Sequence, residues 1–479
     1  MTSPSSPPHT VAFVLGGGGT KGSFEVGALQ YVVGVERMLP DVITATSAGA
    51  IAASVLAQAR TREEFDQRVG EIERDVLALT RTEHVFGEQA WLQALRGTAL
   101  GDAIQFALTE GTRPPVPPLE ATAPDPAVAP RSERARRKAR RARRRQVVLM
   151  FAGAAPRLPR ARRGLRHSGS SALNLDPLAG ALRHGGPSDI GPIDPGLIGR
   201  PGLALRLAVT ALQAGVLRYV TESGTIVEDD AHTPVAGAGA GPIDLVDGVL
   251  ASASVPLVFP PRSLADDEYV DGGVLQVIPV AAAVKLGASR IVAIAAMPLR
   301  LDRDDRNFAD GPAVHIGIRA VGMIGLSDRQ RENLATPLPA GTTLHTIDPV
   351  VDVVGLFEVQ PGLLRINKEY GWLRAADVFA PGDPTLLEEN AARTHQLVTA
   401  RVRAWHLEED LWGMSRTEVA DAGTLAQLRD LKETVYSLVD QRKQLGFPVP
   451  DDCASWWDEY EVHAGPRPVR LPACPSIRR

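Results

Sequence analysis

Residues 11–59 read VAFVLGGGGTKGSFEVGALQYVVGVERMLPDVITATSAGAIAASVLAQA, and this alternation of short apolar runs with small-residue breaks decides the fold. Val11–Leu15 is five apolar residues in a row, the pattern of a strand covered on both faces. Residues 16–22 interrupt it with glycine. Phe24, Val26, Gly27, Leu29, Tyr31 and Val32 then suit a packed helix. Val42–Ala45 gives a second strand, and residues 48–59 a second buried helix. Strands and helices alternating at this spacing predict an α/β protein, with a mostly parallel sheet and helices on its faces.

The two breaks carry the chemistry. In GGGGTKG, Gly17, Gly19 and Gly22 satisfy GxGxxG between a strand and a helix. There, backbone N–H groups free of side chains can converge on an anion. The spacing suits a dinucleotide or an oxyanion, and a phosphate-binding P-loop is not spelled because Lys21 precedes Gly22. A dinucleotide site calls for an acid at the end of the next strand. This chain has Ala45-Thr46-Ser47-Ala48-Gly49 instead, a GxSxG pattern with alanine for its first glycine. Such a serine sits on a strained strand-to-helix turn that needs small neighbours. The same residues also fit a serine N-cap before an alanine-rich helix. Further on, Asp271-Gly272-Gly273 reads by itself as a turn. It follows Tyr269-Val270 and the stretch ASASVPLVFPP at residues 251–261.

Taken in order, GGGGTKG, ATSAG, ASASVPLVFPP and YVDGG resemble the patatin-like phospholipase family over residues 11–300. The resemblance implies a three-layer α/β/α fold and a Ser–Asp dyad without a catalytic histidine. Ser47 would be the nucleophile and Asp271 the general base. Gly17, Gly18 and Gly19 would form the oxyanion hole, with Lys21 and Gly22 supporting the loop. Ala45 and Gly49 complete the elbow motif, and Gly272 and Gly273 the turn. Two departures stand out: Ala45 replaces glycine, and Gln276-Val277 stand where many members have asparagines. His184, beside Gly185-Gly186, is the histidine to check for a triad, and a surface position is expected for it.

Away from these motifs the chain divides by composition. Residues 1–10 read as a flexible tail, with no Lys or Arg and no Sec-type leader expected. Between residues 110 and 166, prolines give way to an arginine run from Arg131 to Arg145 with ten basic residues and one acid. Its charge of +9, set against a formal net charge of −4, leaves −13 for the rest. Lacking apolar surface to offset chain ordering, 110–166 reads as a disordered insertion. It could also be a contact for anionic membrane. Nucleic acid is not expected, since no aromatic interleaving accompanies the run. Residues 301–479 read as a mainly helical C-terminal region holding five of the six tryptophans, with a capping box at Thr385 and Glu388 and an amphipathic helix through Leu428, Leu431, Val435 and Leu438.

Two cysteines, Cys453 and Cys474, build neither a disulfide framework nor a metal site, so a reducing, cytoplasmic location with peripheral membrane contact is expected. No transmembrane segment, metal or cofactor is expected, and the absence of an EF-type acidic loop points to calcium independence. The expected activity is hydrolysis of carboxylic esters of phospholipids or other lipids through an acyl-serine. Acyl transfer from the same intermediate, or a catalytically impaired membrane-binding or scaffold module, are the alternatives.

Overall fold

The computed structural model describes residues 10–108, 114–115, 171–185, 192–236, 241–265, 267–301, 316–415 and 417–475. The arginine run, the tail at residues 1–9 and most of the insertion expected at 110–166 lie outside the described residues.

Strand β1 (Val11–Leu15) is buried along its length because its alternate side chains enter two different cores. Phe13 and Leu15 pack on one face, and Ala12 and Val14 on the other. Period-two alternation normally hides one set of side chains. With helices on both faces it hides both. β2 (Val42–Ala45) runs parallel beside β1, in register Leu15 to Ala45. The further strands are β3 (Ala204–Ala211), β4 (Val216–Thr221), β5 (Ile226–Val227), β6 (Arg262–Leu264), β7 (Asp267–Asp271), β8 (Arg290–Ile294) and β9 (Thr343–Ile347). Among the described residues these nine form one sheet of order β9-β8-β1-β2-β3-β4-β5, with β7 on β3 and β6 on β7. The block from β9 to β3 is parallel, and the remaining pairs are antiparallel. Gly215 (φ 68°) and Gly224 (φ 74°) make the turns around β4, where the sequence puts them. The expected three-layer α/β/α architecture is present.

One face carries α1 (Ser23–Leu29), α2 (Ala48–Leu56), α3 (Arg62–Ala78), α4 (Leu245–Ser252) and α5 (Pro361–Phe379). Beyond them lie α6 (Pro384–Trp412) and α7 (Ala422–Gln444), the helical region expected at the C-terminus. The boundary expected at residue 300, however, does not coincide with an edge of the fold. β9 extends the main sheet from β8, and α5 crosses α1 at a glycine–glycine contact. A Cβ on Gly27 would stand 1.7 Å from Lys368 O, and one on Gly371 1.9 Å from Phe24 O. The large core accordingly runs without a break from Phe13 to Trp405. The capping box expected at Thr385 is corrected as well. Asp383 is the N-cap of α6, its side chain accepting the Thr385 N–H, because Pro384 occupies the first helical position. Among the described residues, no helix is long and apolar enough to cross a membrane.

Candidate active site

Register on β3 brings the two motifs together. β4 takes one edge of β3 from Arg206 to Ala211. The other edge is shared: β2 occupies it up to Ala45 opposite Leu207, and β7 arrives antiparallel with Asp271 opposite Val209. Where β2 leaves the sheet, β7 enters it. The residues just past those two ends are Thr46-Ser47 and Gly272-Gly273. Gly272 must be glycine here, since a Cβ would stand 2.4 Å from Ala208 O.

Ser47 has φ 55° and ψ −123°, a strained conformation for a residue with a side chain, costing about 1–3 kcal/mol. It precedes α2 but its hydroxyl caps nothing in that helix, so the N-cap reading is set aside. The Asp271 carboxylate lies beside it instead, near enough for the hydroxyl to lower that group's pKa. The Ser47 N–H donates to Ser252 Oγ at 3.0 Å, and Ser252 Oγ–H donates to Ala208 O at 2.7 Å. The strain lies on Ser47 itself. Ala45, fully buried in β2 and without a positive φ, does not need to be glycine for this turn to form.

Asp271 is buried, and Gly273 N–H donates to its Oδ1 at 2.7 Å. Burial pushes its pKa up to about 6, while the Ser47 hydroxyl and the Gly273 N–H draw it partly back. A carboxylate so placed is a stronger base than a solvated one, yet still ionised at neutral pH.

The glycine loop lies against the elbow. A Cβ on Gly17 would come within 3.2 Å of Ser47 Cβ, and one on Gly49 within 2.7 Å of Gly16 O. The three glycines expected to form an oxyanion hole are not equivalent. Gly17 N–H is donated to Val277 O at 2.9 Å, whereas no described acceptor takes the N–H of Gly18 or Gly19. The N–H of Ala48, next after Ser47, is likewise uncommitted. Gly19 (φ 57°) admits no side chain, because a Cβ would stand 2.2 Å from Leu356 O.

The residues that fix this loop come from the far end of the sequence. Lys21, buried, is paired with Asp352. Thr20 N–H donates to Leu356 O at 3.0 Å, and Asn367 Nδ2 donates to Lys21 O at 3.1 Å and Ser23 Oγ at 2.8 Å. Gln276 and Val277 fix the elbow side: Gln276 O accepts from Thr46 Oγ1 at 3.0 Å. Their own wall is held by Asn333 Oδ1, which accepts the Val277 N–H at 2.8 Å. Asn333, Asp352 and Asn367 lie in no motif, and nothing in their spacing announces them; Ser252 lies within ASASVPLVFPP, but that motif does not single it out.

A cavity of about 200 Å³ opens beside Ser47 and Gly19. It follows one face of α2 through Ala48, Ile51, Ala52 and Val55, about 10 Å along the helix axis. Phe86, Phe259 and Phe357, from three separate segments, pack with centroids 5.5–6.1 Å apart and line it too. His184 does not line it and is exposed at a helix end. His84 lies at the cavity but is exposed. Among the described residues, no cluster of three or more His, Cys, Asp or Glu side chains could hold a metal ion.

A strained serine next to a buried carboxylate, beside free backbone amides and an apolar cavity, can support acyl transfer from a lipid ester. The family model for patatin-like phospholipases matches residues 13–284. Among solved structures, VipD from Legionella pneumophila is similar at 15% identity, covering 92% of this chain and 85% of that one with a TM-score of 0.33. No curated protein is significantly similar. The match over more than half its length, with the motifs assembled as described, places the chain in the patatin-like phospholipase family.

Proposed function

We propose that the protein hydrolyses carboxylic esters of lipids, phospholipids among them, through a dyad of Ser47 and Asp271. The observation that carries this reading is the meeting of the strained Ser47 with a buried Asp271 whose pKa is about 6. Asp271 takes the hydroxyl proton as Ser47 Oγ attacks the ester carbonyl carbon. The oxyanion is held by the amides of Gly18 and Gly19, each worth on the order of 3–4 kcal/mol in the transition state. Collapse breaks the C–O bond to the alcohol, which leaves with the proton from Asp271. The acyl chain then sits on Ser47. Water, deprotonated by Asp271, attacks the acyl carbon, and Ser47 recovers its proton as the fatty acid departs. The cavity beside Ser47 suits the acyl chain, since its walls are predominantly aliphatic and aromatic.

The test combines fluorophosphonate labelling with hydrolysis of phospholipids and simple esters of graded chain length. Wild type should label at Ser47, and Ser47→Ala and Asp271→Asn should each lose hydrolysis. Undiminished turnover in either variant would sink the dyad.

A further inference from the structure

Glu25 is a buried ionisable group for which the hydrolysis above has no use. It lies on α1, 1% exposed, and lines the cavity together with Ser47 and Ala48. Neither carboxyl oxygen has a hydrogen-bond partner among the described residues. The backbone N–H that faces it, that of Gly16, is already donated to Ile294 O at 3.0 Å.

Its position along the cavity is fixed by Gly22. A Cβ built there would stand 3.9 Å from Glu25 Oε2 and 3.2 Å from Ala48 Cβ. The carboxyl group is therefore level with the first turn of α2, at the Ser47 end of the cavity, and not at the far end by Leu79 and Leu178. Burial raises its pKa well above the usual carboxylate range, which favours the neutral acid there. A neutral carboxyl has one O–H to donate and a carbonyl oxygen to accept with. A plain hydrocarbon chain would seal both off unpaired, which is unfavourable in an apolar wall.

We infer that Glu25 is a specificity-determining residue selecting acyl chains that carry a hydroxyl group within a few bonds of the ester carbonyl. The inference rests on the ester-hydrolase reading above. The Glu25 O–H donates to the substrate hydroxyl oxygen, and the substrate hydroxyl donates back to the Glu25 carbonyl oxygen. Both partners are satisfied without a charge entering the cavity. Sites built to bond a substrate hydroxyl discriminate strongly against the analogue lacking it, because their own polar group is then left unpaired.

The experiment compares p-nitrophenyl esters of octanoate, 2-hydroxyoctanoate and 3-hydroxyoctanoate on the full-length protein, each kcat/KM divided by its rate of hydroxide-catalysed hydrolysis. Wild type should prefer one hydroxy ester by at least about tenfold. Glu25→Leu should erase that preference without lowering the melting temperature, and Glu25→Gln, whose amide both donates and accepts, should keep part of it. Equal wild-type rates on all three esters, or a preference that survives in Glu25→Leu, would overturn the inference and leave the hydrolase reading standing. So would a lowered melting temperature in Glu25→Leu, which would make Glu25 a structural prop. Failure of wild type to cleave any ester or label at Ser47 would remove both readings.

Discussion

Asp271 ties activity to pH through its burial. As the proposed base it works only when ionised, so kcat/KM should fall as pH drops below about 6, with a single protonation in the acid limb. An acid limb centred near 4 would contradict this. The same shift has a sign for stability. The folded-state pKa, about 6, lies above the ordinary 3.8, so the folded state binds more protons between those values. Stability is then lost as pH rises through that window. Asp271→Asn keeps an acceptor for Gly273 and carries no charge. It should raise stability at pH 8 by up to about 3 kcal/mol, and hardly at all at pH 4; melting curves of both proteins at the two pH values check this. Ser47 and Asp271 were picked out by the four motifs taken in order and the family they resemble, since neither ATSAG nor DGG decides alone. Asp352 was not, because a single aspartate hundreds of residues from its partner leaves no local pattern. Nor did the sequence distinguish Gly17 from Gly18 and Gly19, since the difference lies in which amide meets Val277 O.

Among the elements, β1 and β2 were readable as short apolar runs, and α7 by its apolar periodicity. α5 was not. Asn367, Lys368, Glu369, Arg374 and Asp377 are all buried on it, so polar residues fall where a buried helix would be expected to show apolar ones. Each has a specific partner: Lys368 with Glu73, Glu369 with Arg401, Asp377 with Arg442. What seats α5 is its crossing with α1 at Gly27 and Gly371. Gly371→Ala would force the two backbones apart, and overpacking of this kind typically costs about 1–3 kcal/mol or more. Because α5 also carries Asn367, which holds the glycine loop, this variant should lose ester hydrolysis in step with stability. Denaturant titration and kinetics on the purified variant test it, and unchanged values of both would show that the crossing tolerates a methyl group.

For the whole molecule, the sequence indicated a catalytic unit and a helical region but drew the line between them too early. The line is blurred because α6 and α7 are joined to the rest by buried ion pairs as well as apolar faces. Arg401 of α6 bridges Glu369 of α5 and Glu461, and Arg442 of α7 meets Asp377 of α5, all buried. Such pairs demand that both partners stay in place, since removing one leaves a buried charge uncompensated. The arginine run is an appendage to this body in sequence, and its role is an electrostatic proposal. Deleting residues 131–145 should weaken binding to anionic vesicles and flatten its dependence on salt. Vesicle binding unchanged by the deletion, at low and high salt alike, would end that proposal.

The clamp on the glycine loop sets a time as well as a place. Lys21 and Ser47 are made early, while Asp352, Leu356 and Asn367 follow more than 300 residues later. At translation rates of about 5–20 residues per second, the interval is on the order of tens of seconds. Throughout it the nucleophile exists without the partners that hold its oxyanion loop. A chain ending at residue 340 should therefore fail to react with a fluorophosphonate; labelling equal to that of the full chain would refute this. The ester hydrolysis proposed for Ser47 should thus begin only after residues 352–367 have been made.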